Sequence, residues 1–205
     1  MTSPTAEDYR WFEADFARLA EAYCVTLVHG IAPAEVLRVL RAEVRGHCTG
    51  AGTLDDHAYE AALVHQGSHG YIGVAALDGW SVMLEPNGYI GTLGGALAPL
   101  SVGRTVVSHF RNVNAVDHFN WFENGQSRLH FEPLFAHHRD GSDPDSLVTA
   151  MREVGLTTEE DGEDDLDVVT AAAFALAERV TGVRLTPEFL ETARFVEGLA
   201  PIPGG

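Results

Sequence analysis

The side chains best equipped for chemistry gather between Asp117 and Glu132, where two alternating runs meet at Asn124-Gly125. Asn-Gly favours a two-residue type I′ hairpin, because both central residues take positive φ. That turn pairs Phe119 with His130 and Trp121 with Arg128, so Trp121, Glu123, Arg128, His130 and Glu132 share one face. His118, Asn120, Phe122, Leu129 and Phe131 share the other. Imidazole titrates near neutrality, so His118 or His130 working with Glu85, Glu123 or Glu132 would form an acid–base pair. Imidazole and carboxylates also suit zinc or iron, but no spacing here is diagnostic of a ligand set, and neither metal nor cofactor is expected.

Groups suited to recognition fall at turns and strand ends. Glu85-Pro-Asn-Gly88 reads as a turn in which Asn87 or Gly88 supplies positive φ. Arg111, Asn112 and Asn114 close a strand, where they either bind a partner or cap the bend that follows. With Asn87, Trp80, Trp121 and Arg128 they make the expected binding set. His57, Glu60 and His65 lie along one helix but match neither the paired-His nor the Glu-x-x-His spacing of helical metal sites, so a solvated face is expected. The acidic run from Glu159 to Asp167 fails a calcium-loop register: with Gly162 at the sixth position, Thr157 and Val168 stand where carboxylates are required. It reads as a mobile solvated loop. Gln66-Gly-Ser-His-Gly70 is no nucleophile elbow, Gly50-Ala-Gly-Thr-Leu-Asp55 breaks the dinucleotide fingerprint, and a Walker sequence needs a Lys that the chain lacks.

The elements that would carry these groups divide the chain in three. Residues 1–66 read as helices: one with its apolar stripe running from Phe12 to Leu27 and ending at Gly30, a second from Pro33 to Gly46, and a third from Thr53 to about Val64. Residues 71–133 read as five strands, 71–77, 80–85, 104–113, 117–123 and 126–132, with Asp78-Gly79 as a second type I′ turn and a short helix between Leu93 and Leu100. Residues 144–198 return to helices: 144–154, then 167–180 ended by Gly182, and a last one capped by Thr186 and closed by Gly198. The expected fold is a single α+β domain, 1–205: a five-stranded antiparallel meander flanked by N-terminal and C-terminal helices that cover one of its faces.

A formal net charge of −17, with all 13 basic residues Arg, argues against nucleic-acid binding. It would steer a basic protein partner. Cys24 and Cys48 make neither a disulfide framework nor a zinc ligand set. No basic-then-apolar leader and no run of membrane-spanning length is seen, so a soluble cytoplasmic protein with no membrane partner is expected.

Trp80-Ser-Val-Met-Leu-Glu-Pro-Asn-Gly88, Val106-Val-Ser-His-Phe-Arg-Asn-Val-Asn114 and Phe131-Glu-Pro133, with Tyr9-Arg-Trp-Phe12 and Thr181-Gly-Val-Arg-Leu-Thr-Pro187, resemble a family of uncharacterised bacterial proteins, mainly from high-GC genomes. The resemblance spans nearly the whole chain and implies one unit of fold, with no activity to carry over. The function read first from these residues is therefore a non-enzymatic protein-recognition module, immunity- or accessory-like, acting through the sheet face. The alternative is a small enzyme or metal-dependent protein with a His/Glu pocket between sheet and helices.

Overall fold

In a computed structural model that describes residues 3–65, 67–160, 162 and 166–203, the expected turns are in place. Asp78 and Gly79 have φ of 47° and 82°, and Asn124 and Gly125 have 50° and 81°. Asn124→Ala is expected to lower stability by about 1 kcal/mol, because a Cβ-bearing residue without a helpful side chain is disfavoured at positive φ. Asn124→Gly leaves stability near parental; equal urea midpoints for the Ala variant and the parent would refute this.

Among the described residues the strands are β1 (Tyr23–His29), β2 (Glu43–Thr49), β3 (His69–Leu77), β4 (Trp80–Pro86), β5 (Thr105–Arg111), β6 (Asp117–Glu123), β7 (Gln126–Phe131), β8 (Arg139–Asp140) and β9 (Arg194–Pro201). They form one antiparallel sheet in the order β2-β9-β3-β4-β1-β5-β6-β7-β8. The fold is thus α+β with an antiparallel sheet, but nine strands replace the expected five: β1 inserts between β4 and β5, β9 and β2 extend the sheet beyond β3, and β8 beyond β7.

The three additional long strands, β1, β2 and β9, overlap segments whose sequence predicts helices. Tyr23 to Val28 is buried throughout, and a strand covered on both faces reads as an unbroken apolar run that periodicity cannot tell from a buried helix. Gly46 and Gly198 looked like helix stops. Both instead lie inside strands, and a Cβ on Gly198 would meet Leu37 Cδ2 at 2.7 Å. Glycine there allows close packing rather than ending a helix.

Helices α1 (Trp11–Asp15), α2 (Ala17–Ala20), α4 (Ala51–His65), α6 (Val148–Val154), α7 (Val169–Thr181) and α8 (Pro187–Thr192) cover one face of the sheet. On the other lie α3 (Pro33–Val39), α5 (Gly94–Leu100) and a 3₁₀ turn, Ile90–Thr92. Helices therefore sandwich the sheet rather than covering one side of it. The Ala-rich α7 lies in the middle of its layer, with Phe174 against Phe12 at 4.6 Å and Tyr23 at 5.7 Å between ring centroids. Gly182 ends α7 at φ 72°, and Thr186 accepts a hydrogen bond from Phe189 N, as their types predicted. No helix among the described residues is long and apolar enough to cross a membrane. Residues 161 and 163–165 of the acidic run lie outside the described residues.

Candidate metal centre

The β6–β7 hairpin has the expected turn but not the expected register. Phe122 pairs with Ser127 while Trp121 pairs with Leu129, so Arg128 is an extra, bulged residue. Backbone N–H groups of Ser142 and Asp143 bond the carbonyls of Ser127 and Arg128 at 3.1 and 3.0 Å, anchoring the bulge from outside the hairpin. Beyond a one-residue bulge every side chain changes face. His130 therefore lies opposite Asn120 and beside His118, 5.3 Å away between ring centroids, and not with Trp121. His118, His130 and Glu132 do share a hollow of about 260 Å³ with Phe135, His138 and Asp140. Glu123 sits apart at the turn, 3.9 Å from Arg128.

The expected binding set does not converge. Trp80 is buried against His29, and Trp121 is half-buried under the Arg128 guanidinium, 5.4 Å from its ring centroid. Asn112 Oδ1 accepts the N–H groups of Asn114 and Val116, which is the local capping role. Arg111 pairs with buried Asp117 and reaches Thr170. Asn87 holds a turn at φ 49° and lines a small hollow beside α4.

Glu85 is completely buried, and both its oxygens are engaged: Oε2 accepts Ile90 N–H and Oε1 accepts Gly91 N–H, each at 2.8 Å. Burial raises its carboxyl from 4.5 to about 7, against the pull of the two amides and the Cys24 thiol. Its role is to pin the 3₁₀ turn to β4. Gly91 is required there because a Cβ would overlap Thr26 Oγ1 and Cys24 Sγ.

A different cluster is open to solvent on one side. In β9, Glu197 lies opposite Gly46 of β2 and Gly73 of β3, so glycine flanks it on both neighbouring strands. Two places along those strands, Cys48 pairs with Phe195 and Tyr71 with Leu199, which puts both diagonal to Glu197 on its own face. A Cβ at Gly73 would overlap Leu54, so the glycine lets α4 settle close and brings His57, almost one turn further on, over the carboxylate. Glu197 Oε1 is 2.7 Å from His57 Nδ1 and accepts the Tyr71 hydroxyl at 3.0 Å. Sulfur, imidazole nitrogen and carboxylate oxygen of Cys48, His57 and Glu197 all lie within 4.8 Å of one another.

Electrostatically the cluster is short of positive charge. Glu197 is 3 % exposed, and burial followed by the neighbouring carboxylate pushes the Cys48 thiol up to about 12. Burial and the hydrogen bond to Glu197 also hold the Tyr71 hydroxyl above its ordinary value, although the charge of Arg45 acts the other way. A divalent ion would replace the thiol proton and neutralise the site. The set is not legible in the sequence, because His57 and Glu197 are 140 residues apart and Glu197 lies where the sequence predicts a helix. The one usable signal was a His facing inward on the helix that follows a Cys-bearing segment, which is weak.

Fold and site together define an α+β protein with one antiparallel sheet between helical layers and a Cys–His–carboxylate cluster at the β2–β9–β3 end. Over residues 2–204 the chain belongs to a family of unknown function, DUF6461. No curated protein and no solved structure matches it.

Proposed function

We propose that this protein is a metal-dependent enzyme acting on a small molecule, with a zinc-class ion held by Cys48, His57 and Glu197. The supporting observation is the convergence of these three donors within 4.8 Å, beside a hollow of about 390 Å³ that His57 and Tyr71 line. A thiolate, an imidazole and a carboxylate form a borderline-soft set that favours zinc over magnesium or calcium. Three protein ligands leave a position for water or a substrate oxygen, as catalytic zinc sites do. The ion would supply Lewis acidity there, and Tyr71 a hydroxyl for orientation. A protein-recognition surface has less support, because Trp80 is buried and Asn112 is engaged locally. Purified protein equilibrated with zinc and dialysed is expected to carry about one zinc per chain by elemental analysis, and Cys48→Ser with His57→Ala about none. Substoichiometric zinc in the parent, or undiminished zinc in the double variant, would remove the proposal.

A further inference from the structure

We infer that the substrate of this site is a carboxylate-bearing small molecule and that Arg45 receives its carboxylate. This rests on the metal reading for the position of the ion, and on separate observations for Arg45. On β2, Val44 pairs with Gly198 and Gly46 with Glu197, so Arg45 is the extra residue of a β-bulge. Bulges next to functional sites re-aim a side chain that regular pairing would turn elsewhere. Here Arg45 lines the same 390 Å³ hollow as His57 and Tyr71. Its ion pair runs from Nη2 to Glu43 at 3.3 Å, and its side chain remains 38 % exposed.

The surrounding chemistry narrows the class. A net charge of −17 repels anions from the protein as a whole, so an anion retained here needs a local cation, and guanidinium binds carboxylate in a two-pronged geometry. Glu60 stands on the same hollow and Glu43 beside Arg45, which favours one negative charge over a phosphate dianion. Ala61, Val64 and Leu199 also line the hollow, giving the body of the molecule an apolar bed. A second, smaller hollow, lined by Asn87 among others, shares Ala61, Tyr71 and Leu199 with it.

The test compares two hydroxamates with the same chelating head on the zinc-loaded full-length protein: acetohydroxamate, with a neutral tail, and the monohydroxamate of succinic acid, with a carboxylate tail. The succinyl compound is expected to bind at least about tenfold more tightly, and Arg45→Gln to erase that preference while zinc affinity stays within about threefold of parental. Equal affinities in the parent, or a preference that survives in Arg45→Gln, would overturn the assignment. Failure to bind zinc would count against the metal reading alone. The carboxylate claim is then decided on metal-free protein: butyrate, and not butyramide, is expected to shift the Arg45 Nε–H resonance, and equal effects of the two refute it.

Discussion

Glu197→Gln is expected to weaken zinc binding by about a hundredfold or more while leaving the fold intact. The amide oxygen still accepts the Tyr71 hydroxyl, which lies 3.0 Å from the native carboxylate, but the anionic ligand is lost. A hundredfold corresponds to about 2.7 kcal/mol. The effect is readable without knowing the reaction, because an ion that binds only the native state raises the melting temperature. At free zinc about a hundred times the parental Kd the stabilisation is about 2.7 kcal/mol, or roughly 5–10 °C for a chain of 205 residues. At the same zinc concentration the variant retains about 1 °C of this. A parental zinc-induced shift in Glu197→Gln would show that the carboxylate is not a ligand.

Glu85→Ala is expected to cost about 4 kcal/mol, lowering the melting temperature by roughly 10 °C, since it combines a cavity with two buried orphaned donors. The donors are Ile90 N–H and Gly91 N–H, each 2.8 Å from the carboxylate and neither near water. Glu85→Gln costs about 2 kcal/mol, because its NH₂ must face one of those donors. This second variant also carries a pH signature. The folded carboxyl titrates near 7 and the unfolded one at 4.5, so the native state holds the proton longer than the unfolded state. Its contribution is therefore complete below pH 4.5 and is lost as pH rises through 7, a fall of about 3 kcal/mol. Gln cannot ionise and shows no such fall. The stability gap between parent and Glu85→Gln is thus wider at pH 5 than at pH 8. A gap that is constant, or wider at pH 8, would mean that Glu85 is ionised throughout and acts only through its hydrogen bonds.

Legible from sequence were the elements whose causes are local. Asp78-Gly79 and Asn124-Gly125 dictate their turns through backbone preference, β6 starts and ends where alternation does, and Thr186 and Gly182 mark real helix ends. The α4 helix and the short α5 were likewise found close to where they lie. Of the acid–base residues proposed from sequence, His118, His130 and Glu132 do meet, but for a reason the hairpin turn does not contain. The bulge at Arg128 is anchored by residues 142 and 143, so the face His130 occupies is a long-range property.

Tertiary structure alone decided the candidate centre. Nothing in Arg194–Pro201 announces a strand, and nothing says that it slides between β2 and β3; the preference arises only when Gly198 meets Leu37 and Gly73 admits Leu54. That insertion sets Glu197 diagonal to both Cys48 and Tyr71 and beneath His57. Side chains spread over four elements acquire a common chemistry only through pairing register and helix approach, which depend on packing across the whole chain, whereas turns and caps depend on a few neighbouring backbone angles.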